Sequence, residues 1–210
     1  MSGRRAPSCS AGSRRSGPWH NPRRAVAEGW AGGRERCMMD AMKGVASLLN
    51  QMVADDVLTD YALFGAVAQM RYTDAVVTMD ADVLVGVRNE GAMDVLRPIH
   101  EYCAARGLRV EGEAIRVGSW PVQFIPVFSP LTRAAMEKAE CQDLDGVPLR
   151  VVSSDYLAAI ALSTGRAKDY ARILALLEAG TTTPESLERL AAAHDLRREW
   201  AEFRKRFLAP

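Results

Sequence analysis

Hydrophobic positions along the chain change period several times, and each change predicts an element. From Asp40 the pattern is regular: Val45, Leu48, Leu49, Met52 and Val53 recur at helical spacing and predict an amphipathic first helix. Tyr61 to Phe64 reads as a buried strand, and Val67 to Tyr72 as a short helix opening at Gly65-Ala66. Val83 to Val87 continues a strand entered through Asp80 and Asp82. Met93, Leu96, Ile99, Tyr102 and Cys103 predict a helix closed by Gly107, with Pro98 either kinking it or standing in the first turn of a second helix. Three short β-prone runs follow, Leu108–Glu111, Ile115–Gly118 and Val122–Val127.

A helix is predicted from about Leu131 to Glu140. Asp145-Gly146 then makes a hairpin-type turn into a last strand, Pro148–Val152. Everything beyond is helical. Ser153 or Ser154 caps a helix that stops at Gly165, a second spans about Ala167 to Gly180, and Thr183-Pro184 opens a third with an N-cap and N1 proline. Leu196, Trp200, Phe203 and Phe207 form an apolar stripe with Arg197, Arg198, Arg204, Lys205 and Arg206 off it. The stripe reads as core anchoring and the cations as a solvated face; an RNA-binding role would require the fold to cluster them with the aspartates. The fold class is α/β: a mixed-sheet core over 38–152 followed by a C-terminal helical segment, 153–210.

Composition narrows this picture. With 210 residues, 48% hydrophobic and 25% charged, the chain has the makings of an ordinary soluble globular protein, expected in the cytoplasm, and no apolar run is long enough to span a membrane. The four cysteines, at 9, 37, 103 and 141, have neither CxxC nor zinc spacing and indicate no disulfide framework. A net charge of +1 conceals an asymmetry. Residues 1–37 carry eight arginines against Glu28 and Glu35, net +6, which leaves −5 for the remainder. That Ser/Gly/Pro-rich stretch has no apolar period and is expected to be a disordered basic tail. It lacks a secretory apolar region; an organellar transit peptide, a start assigned upstream of Met38, Met39 or Met42, or a nucleic-acid arm would each account for it.

The candidate chemistry lies in Thr78-Met79-Asp80-Ala81-Asp82-Val83-Leu84-Val85. Side chains alternate along a strand, so Asp80 and Asp82 share a face while Ala81 and Val83 enter the core. Two carboxylates held roughly 6–7 Å apart by that repeat repel unless a cation lies between them. Oxygen donors of this kind suit Mg²⁺, which completes its octahedron with water and phosphate oxygens. Gly65 would let a backbone turn approach a phosphate closely. These are parts of a metal-assisted phosphoryl or nucleotidyl transfer site; the plain alternative for the aspartates is a solvated turn. Glu111 and Glu113, also i, i+2, read as a solvated edge or as a source of a third carboxylate.

In order, Tyr-Ala-Leu-Phe-Gly-Ala (61–66), Thr78-x-Asp80-x-Asp82-Val-Leu-Val, Pro121-Val-Gln-Phe-Ile-Pro126 and Gly165-Arg-Ala-Lys-Asp169 resemble the minimal nucleotidyltransferases of the DNA polymerase β superfamily. The nearest group is the AbiEii/AbiGii toxin-type nucleotidyltransferases, and the resemblance covers roughly residues 45–207. It implies transfer of a nucleotide from a nucleoside triphosphate to an acceptor hydroxyl, with Asp80 and Asp82 as catalytic Mg²⁺ ligands. It further implies nucleotide contacts from Gly65, Ala66, Thr78, Lys168 and Asp169, an RNA or protein acceptor, and an antitoxin protein as partner. A degenerate module that binds nucleotide or a partner without turnover is the alternative. Lys168-Asp169 also fits the charged first turn of a helix. Four departures bear on the chemistry: Gln123 stands where many relatives carry a third carboxylate, Val76 where they have Arg, Ala161 where they have Lys, and Ala66 where they have Gly or Ser.

Overall fold

The computed structural model describes residues 32–74, 76, 78–88 and 94–209, with side chains from Ala41 onward. Helix α1 (Gly32–Ala54) leads into β1 (Asp60–Phe64), α2 (Gly65–Gln69), β2 (Ala81–Gly86), α3 (Arg97–Ala104), β3 (Arg109–Glu111), β4 (Ala114–Val117) and β5 (Trp120–Pro126). Then come α4 (Pro130–Glu137), β6 (Glu140–Leu144), β7 (Val147–Val151) and four helices, α5 (Ser154–Thr164), α6 (Ala167–Glu178), α7 (Pro184–Ala193) and α8 (Arg197–Phe207). The strands form one seven-stranded sheet in the order β3-β4-β5-β2-β1-β7-β6. It is mixed: β2 runs parallel to β5 and β1 parallel to β7, and the other neighbours are antiparallel.

The core follows the hydrophobic period. Met42, Val45, Ala46, Leu49, Met52 and Val53 line the buried side of α1, and Tyr61 to Leu63 and Val83 to Val85 are buried in the two central strands. Polar bolts cross this core. The Tyr61 hydroxyl donates to Asn50 Oδ1 at 2.7 Å, and Asn50 Nδ2 donates to the Pro148 carbonyl at 2.7 Å, tying α1, β1 and β7 together. Arg150, 4% exposed on β7, donates to the carbonyls of Tyr61 (3.2 Å) and Met136 (2.6 Å) and lies 3.3 Å from Asp60.

Helix α5 is almost wholly buried, from Leu157 to Leu162, and α6, α7 and α8 pack around it. Gly165, at φ 70°, ends it in the left-handed conformation that glycine adopts without penalty. Tyr170, Trp200, Phe203 and Phe207 stack into one aromatic cluster, which makes the apolar stripe of α8 a core anchor. Burying Phe203 alone contributes about 1.5–3 kcal/mol. The cations off the stripe are exposed, two of them near Glu202 and Glu188.

Four expectations change. The first helix starts at Gly32, inside the stretch read as a tail, where Arg34, Glu35 and Arg36 are good helix formers; residues 1–31 lie outside the described residues. Helix α3 begins at Arg97 with Pro98 in its first turn, and Met93 lies outside the described residues. Helix α4 stops at Glu137, and Glu140 opens an edge strand, β6, that closes a hairpin with β7. Cys141 is disulfide-bonded, whereas Cys103 is a free buried thiol. No described helix is long and apolar enough to cross a membrane.

Candidate active site

Pairing places the aspartates. Strands β1 and β2 run antiparallel with Phe64 opposite Asp82, so the turn into α2 begins against the Asp82 side chain. Gly65 sits there at φ 70°, and a Cβ on it would lie 2.1 Å from Asp82 Oδ2. Both the backbone conformation and the missing side chain are required, so glycine is the residue this corner admits. Asp80 stands just ahead of β2, with Ala81 and Val83 buried beside the half-exposed Asp82, as period two demands. Thr78 Oγ1 donates to Asp80, with its carbonyl and Oδ1 both 3.1 Å away, and so restrains that carboxylate.

On the other side of β2, Gln123 of β5 is in register with Asp82, and Ala114 of β4 with Gln123. Register partners share a face, so a neutral amide lies next to Asp82. Glu111 continues the row opposite Ala114, roughly 10 Å beyond Gln123 at the usual strand spacing. Its carboxylate is held by Arg116 through two 2.6 Å bonds. Glu113 is exposed. Neither supplies a third carboxylate at Asp82.

The opposing wall is the start of α6. Asp169 is 1% exposed and accepts from Arg166 Nε (2.6 Å) and Nη2 (3.3 Å), with Arg172 Nη1 3.7 Å away. Arg172 reaches across to α2, where its Nε donates to Oε1 of the buried Gln69 at 3.0 Å. Burial, and after it the negative charge of Asp80, push the Asp82 carboxyl above its ordinary range; Arg172, Lys168 and Arg166 pull it back. Five charged side chains thus share one electrostatic site although their positions run from 80 to 172.

Of the residues singled out by sequence, Gly65, Thr78, Asp80 and Asp82 meet at one end of the sheet. Lys168 is exposed on α6 and contributes to the field at Asp82; Ala66 follows Gly65 at the start of α2. The Asp169 carboxylate is occupied by Arg166, so what it does here is orient arginines. Ala161 is buried in α5, and Val76 lies half-buried in the loop before Thr78. Sequence pattern alone does not point to Arg172 or Gln69. Their only signal is that they are polar groups on helix faces that the fold buries.

Among the described residues no group of three or more His, Cys, Asp or Glu side chains converges. The donors that do meet, two carboxylates and one amide, are all hard oxygens. They fit Mg²⁺, which is commonly held by one or two carboxylates with substrate phosphates completing its shell.

Comparison with one solved structure supports this architecture, and two others are similar more loosely. An antigenic nucleotidyltransferase-like protein from Paracoccidioides brasiliensis superposes with a TM-score of 0.56 at 14% identity, over 80% of this chain and 89% of that one. The antibiotic-resistance factor ANT(2'')-Ia in solution gives 0.49 at 14% identity, over 81% and 98%. Its crystal structure with adenylyl-2''-tobramycin gives 0.41 at 13%, over 79% and 98%. No protein-family model and no curated protein sequence matches the chain. The chain has a nucleotidyltransferase-like fold, with a mixed sheet and helices around it.

Proposed function

We propose that this chain binds a nucleoside triphosphate with Mg²⁺ and transfers its nucleotidyl group to an acceptor hydroxyl. The observation that carries the reading is the corner at Gly65, where the backbone lies against Asp82 with the cationic start of α6 opposite. Asp80 and Asp82 would hold the metal, which when bound neutralises phosphate charge and polarises the α-phosphorus. Gly65 keeps the approach open, and Arg166, Lys168 and Arg172 offer positive charge to the polyphosphate. The acceptor hydroxyl gives its proton to solvent as its oxygen bonds to the α-phosphorus, and the bond from the α-phosphorus to the oxygen bridging it to the β-phosphorus breaks in line. Pyrophosphate leaves with the electron pair. Lys168 and Thr78 belong to this nucleotide site, as does Ala66 through its backbone. An RNA or protein acceptor and an antitoxin partner fit the resemblance of the four motifs.

A second reading is favoured by one observation: Gln123, in register with Asp82, cannot take the acceptor proton. On that reading the chain holds nucleotide without turning it over. Incubation with each α-labelled triphosphate, Mg²⁺ and cell extract separates the two. Transfer of label to RNA or protein that vanishes in Asp80→Ala supports the enzyme. Triphosphate binding without transfer to any acceptor supports the second reading, and no binding at all removes both.

A further inference from the structure

Arg172 is the cation in this site whose position is hardest to account for by stability alone. Its side chain is only 14% exposed, so its charge has been taken largely out of water. A desolvated guanidinium ordinarily finds a carboxylate that grips it through two parallel bonds. Asp169 gives that grip to Arg166 and keeps only a looser ion pair with Arg172, at 3.7 Å, too long for a hydrogen bond. What Arg172 has is a 3.0 Å bond from Nε to the neutral Gln69. Gln69 is itself 5% exposed and fixed by a bond from Nε2 to Thr73 Oγ1 at 3.3 Å. The guanidinium is therefore held at Nε between α6 and the end of α2, and its charge acts on the Asp82 carboxyl.

We propose that Arg172 is a phosphate-binding residue for the polyphosphate of a nucleoside triphosphate, with Gln69 and Asp169 as the residues that position it. The inference rests on the reading that this site takes a triphosphate and adds which side chain grips it. A planar fork held at Nε presents its remaining N–H groups to a tetrahedral oxyanion, as arginine does where phosphates are recognised. Gln69 lies in the helix that Gly65 opens, so one hydrogen bond links the phosphate-facing arginine to the segment that forms the opposite lip. Asp169, by taking Arg166, leaves Arg172 available. The competing role is a fixed counter-ion for Asp82, which would contact no ligand.

The test uses the full chain and calorimetric titration with inorganic tripolyphosphate and with each nucleoside triphosphate, all with Mg²⁺. Arg172→Gln is expected to weaken both kinds of ligand on the order of 10-fold to 100-fold, and a nucleoside monophosphate much less. Arg172→Lys should recover part of the loss, and Gln69→Leu should weaken tripolyphosphate although every charge remains. Equal affinity in wild type and Arg172→Gln, with triphosphate still bound by both, overturns the inference and leaves the triphosphate reading standing. No binding of any triphosphate by wild type overturns both. Should Arg172→Gln fail to fold, the wild-type Arg172 Nε–H resonance gives the answer: it must move when tripolyphosphate is added, and a stationary resonance under saturating ligand sinks the proposal.

Discussion

Two buried arginines divide this molecule into a region that is closed and a region that is open to a ligand. Arg150, between β7, β1 and the end of α4, has the carbonyls of Tyr61 and Met136 and the carboxylate of Asp60 around it. Arg172, between α6 and α2, has one neutral amide and a carboxylate already committed elsewhere. Both were taken out of water at a cost, but only Arg150 is repaid within the fold. The difference teaches how to read a buried charge: when the surrounding groups satisfy it, it is a bolt, and when they orient it and stop short, it points towards something that arrives later.

The largest effect expected is at the bolt. Arg150→Met strips the donor from two carbonyls and leaves Asp60 without its cation, and should lower stability by about 3–5 kcal/mol in urea unfolding. Arg172→Met should cost about 1 kcal/mol on the same measurement, because its guanidinium is only loosely paired. Equal losses would erase the distinction between the two regions.

Next is Gly65→Ala. A non-glycine residue at φ 70° costs about 1–2 kcal/mol, and the added Cβ would displace Asp82 as well. Triphosphate binding should fall further than the melting temperature suggests. A variant that melts lower but binds normally would place the ligand elsewhere.

A smaller effect concerns pH. Burial raises the Asp60 carboxyl above its ordinary value of 3.8, with Arg150 and the Tyr61 N–H opposing. The folded state therefore holds this proton at pH values where the unfolded chain has released it. Its contribution to stability is fully present below the ordinary value and is lost as pH rises through the elevated one. Wild type should gain on Asp60→Asn as pH falls from neutral through that window, read from paired urea curves; a difference that stays flat with pH would show that Arg150 fully offsets the burial.

The least effect on stability is expected from Gln123→Glu, at a half-exposed position beside Asp82. Its consequence should appear in turnover: label transfer rising while triphosphate affinity changes little would mark proton removal as the missing step.

These contrasts also explain which parts of the fold and site the sequence makes legible. The central strands were legible as short apolar runs, Tyr61 to Leu63 and Val83 to Val85, buried on both faces, with alternation showing only at Ala81-Asp82-Val83. Gly65, Asp80 and Asp82 were legible because a few neighbouring residues carry them. Strand β6 was not, since Glu140, Cys141 and Asp143 are exposed on the sheet edge and only Leu144 is fully buried, leaving no alternation to see. Arg172 and Gln69 were not legible for another reason. They lie 103 residues apart on two helices, and an arginine one turn into a helix looks like any solvated cation until tertiary packing buries it.

Strand β2 has neighbours along both edges, β1 on one and β5 on the other. The carboxylate half of the site therefore hangs on backbone amides that exchange only through extensive opening, whereas α6 faces the sheet from a helical layer at its margin. Deuterium uptake should divide the site into a slow anvil, Val83 to Val85, and a faster jaw at the first turns of α6. Ligand would then register as slowed exchange in the jaw with the anvil unchanged, so Asp82, in the doubly paired strand, would be a quiet reporter of occupancy.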